Sequence, residues 1–303
     1  MNKLMKKYIW TFLVLMSVST LSYGQISYGF RSGVGFSKFL QENEQDDQGN
    51  PLDEDVFSSG FHLGVAFGYR LSDVMMIRAE ILYNQKGGRY RYDGPSYMIF
   101  SPESGADPIP TVGNRKTSIN ISNAYLNFPL SVAFKLGDSF EVFGGIGFGV
   151  LLNSLGAGQR IYSDGVSIGL GEVVNNGEEI AQEMDYDYFN DNDGQASVSD
   201  PYVFLLSGEL IQVPREIGAY YDTSKGETPF YSRIDVDLNA GISYYLSSNL
   251  FLSTRVFYGL TDVVDDSYQF RRYSLDDNNE RIPFGRTDRN LSIQVSLGFF
   301  FGS

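Results

Sequence analysis

The sequence predicts an all-β fold: an eight-stranded antiparallel transmembrane β-barrel, or a ten-stranded one if a loop contributes a further pair, with long extracellular loops. Three observations predict it. Apolar residues recur at every second position in eight separate segments. The residues between them are small or charged, a composition suited to the inside of a narrow barrel. The links between segments alternate short and long, as in barrels that cross a bacterial outer membrane.

Composition agrees. The 303 residues include 23 Phe, 21 Tyr and 33 Gly; aromatic residues favour strands, and glycine disfavours helices. The net charge of −14 is the wrong sign for a phosphate-binding surface, so no nucleic acid partner is expected. The chain has no Cys, which removes disulfides, thiolate chemistry and a lipid anchor on an N-terminal Cys.

Residues 1–24 read as a signal peptide. A basic start, "MNKLMKK", is followed by the apolar "YIWTFLVLMSV", and small Ser22 and Gly24 precede Gln25 as a signal peptidase requires. The apolar run is shorter than the roughly 20 residues of a membrane-spanning helix. Cleavage before Gln25 removes Lys3, Lys6 and Lys7 and no acid, so the exported chain is more acidic still. Residues 25–303 then form one barrel domain with a large loop insertion at 153–231.

The strands follow in order. The first alternates Tyr28, Phe30, Val34 and Phe36 with Gly29, Arg31, Gly33 and Gly35. The second sets Phe61, Leu63, Val65 and Phe67 against His62, Gly64, Ala66 and Gly68. After the turn "LSD", the third sets Ile77, Ala79, Ile81 and Tyr83 against Arg78, Glu80 and Asn84. The fourth and fifth are the two halves of "NAYLNFPLSVAFKLGDSFEVFGGIGFGVLL", 123–152, hinged at Leu136, Gly137 and Asp138. Ile234 to Tyr244 and Leu250 to Leu260 make the sixth and seventh around "SSN", and Leu291 to Phe301 the eighth. Period two over such lengths means strands, and about 9–11 residues suffice to cross a hydrocarbon layer at a tilt. The long polar links fall near 37–58, 88–116, 153–231 and 263–287.

A soluble barrel or sandwich would turn the apolar face inward instead. The glycine ladder Gly145, Gly147 and Gly149 argues against that, since glycine contributes nothing to a water-facing strand and weakens it. Inside a narrow barrel it makes room for larger charged groups. Arg31, Arg70, Arg78 and Arg255 are expected to meet Glu80, Glu141, Asp235 and Asp237 in an interior network, because buried charges need partners. Side chains fill a barrel of eight strands, which argues against a general diffusion pore. Tyr69, Tyr83, Tyr244 and Tyr258 read as an aromatic girdle on the outer face.

Most of the acid lies in the long links. "LQENEQDDQGNPLDEDVFSS" carries seven acids and no base, which reads as a solvated segment. In the third link, "DYDYFNDNDG" gathers Asp185, Asp187, Asn190, Asp191 and Asp193 as candidate calcium ligands, without the order of an EF-hand loop. "YVFLLSGELIQVP", 202–214, reads as a hairpin above the membrane or as the further strand pair. His62, the sole histidine, lies on the inward face, and no strained nucleophile turn accompanies it, so an enzyme is not expected. No cofactor is implied.

These residues resemble a known family. The strands "YGFRSGVGFSKF", "YLNFPLSVAFKL" and "DVDLNAGISYYLSSNLFLSTRVFYGLTDV" look like those of outer-membrane β-barrel proteins of Bacteroidetes, the group that includes PorT-like proteins, related in kind to small OmpA- and OmpX-like barrels. The family's fourth strand carries a "YLxxPL" element, matched here by Tyr125, Leu126, Pro129 and Leu130. Such chains often end on an aromatic residue, whereas this one continues past Phe301 through Gly302 and Ser303. The resemblance implies a location in the cell outer membrane, with membrane lipid as surroundings and other envelope proteins as candidate partners. It points to a non-enzymatic structural, surface-interaction or envelope-complex accessory role. The alternatives are a small pore or transport channel, and a calcium-dependent surface adhesin.

Overall fold

The computed structural model describes residues 25–192, 196–197 and 199–301. The signal peptide read at 1–24, Asp193 and the chain end beyond Phe301 lie outside them. Eight strands close into a ring: β1 (Ile26–Leu40), β2 (Ser58–Arg70), β3 (Met75–Phe100), β4 (Ile109–Leu136), β5 (Phe140–Ser167), β6 (Ile234–Tyr245), β7 (Leu250–Gly259) and β8 (Arg289–Phe301). Each is antiparallel to its neighbours around the ring, β1 pairing with β2 and β8. The seam is closed by β5 and β6, with Gly147 opposite Asp237. Full closure leaves no unpaired strand edge, which is what a β protein needs in lipid.

The short turns after β2, β4 and β6 all lie at one end. Gly137 sits in the β4–β5 turn with φ of +68°, a left-handed conformation that glycine adopts without steric penalty. Around the ring the outward residues are large and apolar. Phe30, Leu63, Leu130, Ile146, Ile242 and Leu297 all stand exposed. A contiguous greasy belt of this kind is stable only against lipid.

The structure corrects the placement of the long links. Residues 88–100, 109–116 and 153–167 are not loop. They continue β3, β4 and β5, which run to 26, 28 and 28 residues, or roughly 85–90 Å at about 3.3 Å per residue. An apolar band about 25 Å tall needs far less, so these strands form a wall standing clear of the membrane. Their chemistry inverts on the way. Above the belt the outward residues are polar, as with Arg89, Arg91, Lys116 and Asn120, while Tyr90, Tyr92, Ile119 and Ile121 are buried inside. Water has replaced lipid outside, and the interior gains apolar and aromatic packing around a few buried polar groups such as Arg115 and Arg160.

A bulge marks the change. Tyr125 opposes Leu151 but Ala124 opposes Asn153, so β5 holds one extra residue at Leu152. Because side chains alternate with period two, one extra residue flips the inward set. Phe143 and Leu151 face inward below it, and Ser154, Arg160 and Tyr162 above it.

Shorter elements lean on this wall. Asp53–Val56 pairs with β3, and Ile180–Asp187 pairs with β5. Tyr202–Leu206 and Glu209–Val213 form a separate two-stranded hairpin, so they stand above the barrel and the ring keeps eight strands. Phe270–Leu275 and Arg281–Pro283 form another. The first acidic link is also more ordered than its composition suggests. Glu44 and Asp53 are buried, and the Glu44 carboxylate accepts the backbone N–H groups of Arg272 and Tyr273 at 2.8 and 2.9 Å.

Candidate functional site

The molecule has two polar interiors, one above the other. The lower fills the barrel. Glu80, on β3, lies between Arg31 of β1, at 3.3 Å, and Arg255 of β7. Arg31 also donates to Ser253 and Ser296 at 2.7 Å each. Arg78 donates to both oxygens of Glu141 at 2.7 and 2.9 Å. Lys86 reaches Asp235 at 2.9 Å and Asp237 at 3.3 Å. Phe143 and Phe257 flank the Arg255 guanidinium, 4.7 and 5.4 Å from ring centre to cation, adding attraction that strengthens away from water. Four cations meet four carboxylates, all buried. The glycine ladder serves this directly, since a Cβ on Gly147 would sit 2.2 Å from the Asp237 carboxylate.

The upper interior is an extracellular chamber of about 170 Å³, walled by β3, β4, β5 and the links over them. Arg115 of β4 and Arg160 of β5 enter from the wall, and Arg272 enters from the hairpin at 270–283. Arg160 pairs with Asp222 at 2.5 Å and with Gln182 at 2.7 Å. The Asp222 side chain is 42% exposed, and the neighbouring Arg160 and Arg115 guanidinium groups hold its carboxyl below the usual carboxylate range, at about 2. Across the chamber the balance reverses. Asp53 takes Arg286 at 3.0 Å, and Asp288 lies 3.6 Å from the same guanidinium. Asp55 has both oxygens buried without a hydrogen-bond partner. Burial pushes its carboxyl up to about 7 against the pull of Arg286. Burial likewise lifts Asp288 to about 6.

Of the interior residues singled out from sequence, Arg31, Arg78, Glu80, Glu141, Asp235, Asp237 and Arg255 come together in the lower interior. Arg70 does not; it is half-buried beside the β2–β3 turn. Tyr125 faces inward with its ring 5.1 Å from Lys86, Pro129 is buried, Leu126 is half-buried and Leu130 faces lipid. Of the five candidate calcium ligands, Asp193 lies outside the described residues, and Asp187, Asn190 and Asp191 bond to one another in a turn. Asp185 is exposed on its strand, while Asp187 accepts from the backbone of Phe189 and Asn190 at 3.0 Å each. Asp191 accepts from Asp187 and Ala219. Among the described residues no group of three or more His, Cys, Asp or Glu could hold a metal.

Sequence reasoning missed Lys86 and the whole chamber. Lys86 lies two residues beyond the apparent end of the third strand, although it keeps that strand's inward parity. Arg115 and Arg160 lay in links read as loop. Alternation continues through both, but with the polar residues outside.

A closed antiparallel barrel with a lipid-facing belt, short turns at one end and folded links at the other defines an outer-membrane β-barrel. The chain belongs to the family described as the outer membrane protein beta-barrel domain, whose model matches residues 19–265. Among solved structures it is similar to Ail, the attachment invasion locus protein of Yersinia pestis, at 11% identity over 91% of this chain and 99% of that one, with a TM-score of 0.34. It is similar to OprG of Pseudomonas aeruginosa at 9% identity over 91% and 96%, with a TM-score of 0.35. Neisserial surface protein A matches at 11% identity over 90% and 96%, with a TM-score of 0.32. A search of curated proteins gave no match.

Proposed function

We propose that the protein is a non-enzymatic, non-conducting outer-membrane barrel whose extracellular storey carries out interactions at the cell surface. The observation that carries this reading is the pairing of Arg31, Arg78, Lys86 and Arg255 with Glu80, Glu141, Asp235 and Asp237 across the lumen. Moving an ion past it would strip these groups of partners in a medium of low polarity. His62 gives no support to catalysis. Its Nε2 meets Ser296 at 2.7 Å, but Nδ1 has no partner among the described residues, so no carboxylate orients the ring as a catalytic triad requires. The finer kinship with PorT-like members rests on the "YLxxPL" element of β4. A planar-bilayer recording of the refolded protein tests the reading. Silence is the expected result, with conductance steps appearing when Glu141 or Arg255 is truncated. Stepwise conductance by the unaltered chain would overturn it in favour of a small pore.

A further inference from the structure

The chamber contains a charge arrangement that its own residues leave incomplete. Arg115 is only 6% exposed, and its one hydrogen bond runs from a terminal nitrogen to the Tyr97 carbonyl at 2.7 Å. Its Nε is buried with no partner. Among the described residues neither Arg115 nor Arg272 forms an ion pair: Asp222 is bound to Arg160, and the Glu44 carboxylate, also on the chamber wall, is taken by the backbone N–H groups of Arg272 and Tyr273. A buried guanidinium without a counter-charge is costly, on the order of several kcal/mol. Contacts with aromatic faces, Arg115 at 6.0 Å from Tyr97 and Arg272 at 5.6 Å from Tyr90, offset part of this and leave the fork of N–H donors open. In the lower interior, by contrast, Arg31, Arg78, Lys86 and Arg255 each have a carboxylate partner.

We infer that the chamber is a binding site for a small organic anion, one ring bearing a carboxylate, phosphate or sulfate, seated on Arg115 and Arg272 against the Tyr97 and Tyr90 wall. Guanidinium groups hold such planar or tetrahedral anions through paired, charge-assisted bonds. The volume of about 170 Å³ suits a single ring, since an engineered cavity of about 150 Å³ takes benzene. Charge selects for size as well. The chain carries −14 overall, so a polyanion is repelled by the acidic links, while a small anion needs only the local field of the three arginines. Burial, with Arg160 and Arg272 close by, lowers the Arg115 pKa to about 10, so it stays a cation at neutral pH.

This inference rests on the extracellular storey being the interacting part and is independent of whether the lumen conducts. The test is calorimetric titration at pH 7 of the refolded mature chain in detergent micelles, with 4-hydroxybenzoate and glucuronate as probes. Their neutral counterparts, 4-hydroxybenzyl alcohol and glucose, are run beside them. The expected result is saturable binding of one or both anions, none of the neutral compounds, and a loss of at least tenfold in 0.5 M NaCl. Binding of glucuronate alone assigns a sugar acid; binding of 4-hydroxybenzoate alone assigns an aromatic acid. Arg115→Gln is expected to weaken binding at least tenfold and Arg115→Lys by less, because lysine keeps the charge without the fork. If Arg115→Gln fails to fold, Arg272→Gln and the ligand-induced rise in melting temperature of the unaltered protein carry the same test. No binding by protein that shows the heat-modifiable migration of a folded barrel overturns the inference, as does equal affinity for the neutral compounds. Conductance in bilayers together with anion binding would remove the non-conducting reading and leave this one standing.

Discussion

The two interiors share the long strands β3, β4 and β5 as wall, the lower one being completed by the other five strands of the ring, yet they handle charge in opposite ways. In the barrel every cation meets a carboxylate: Glu80 lies between two arginines, and Lys86 between two aspartates. In the chamber the signs are separated, with Arg115, Arg160 and Arg272 around Asp222 on one side and Asp53, Asp55 and Asp288 around Arg286 on the other. A plug in lipid has no solvent to relieve an unpaired charge, so pairing must be complete. In the chamber Arg115 and Asp55 stay buried without a counter-charge in contact, and that imbalance can be used for recognition.

The contrast can be broken most forcefully at Glu80. Glu80→Ala leaves Arg31 and Arg255 facing each other unpaired, and is expected to cost about 3–5 kcal/mol, seen as a large fall in the temperature at which the barrel loses heat-modifiable migration. An unchanged transition would mean that water already enters the lumen. Next in size is the acidic side of the chamber. Asp55 and Asp288 have carboxyls raised to about 7 and about 6, so the folded state binds more protons than the unfolded chain above about pH 4. Their contribution is therefore complete below about pH 4 and is lost as pH rises through 6 and 7. The extracellular storey should loosen over that window by on the order of 3 kcal/mol, measured as faster amide exchange at 270–283. Asp55→Asn should flatten the profile; an unaltered slope would count against the assignment.

Gly147→Val probes how tightly the lower interior is packed. Its added carbons meet Asp237, and a cost of about 1–3 kcal/mol is expected, whereas Gly49→Ala, with no atom within 4 Å of the new Cβ, should cost less despite its φ of +81°. The smallest effect is expected at the exposed pair of Arg91 and Glu54, 3.1 Å apart on the outer wall. Arg91→Ala should change stability by less than about 1 kcal/mol, which chemical denaturation would register as no shift.

The primary sequence by itself determined the ring. Alternation is a local property of a strand, so the lipid-facing belt, the tight turns and the inward parity of Arg31, Arg78, Glu80 and Arg255 could be read without knowing which strands meet. The inward placement of Asp235 and Asp237 was equally local, but their partner was not. Lys86 is about 150 positions away along the chain, and only closure of β5 onto β6 turns it toward them. The chamber depended on tertiary structure for a different reason. Above the belt water replaces lipid outside, so the same strands reverse which face is polar, and a single extra residue at Leu152 flips the inward set of β5. A rule calibrated on greasy outward faces therefore stops at the membrane rim. Arg115 and Arg160 come from the wall strands β4 and β5 and Arg272 from the hairpin at 270–283, and only the packing of that hairpin and of the link bearing Asp222 over the wall gathers them around one carboxylate.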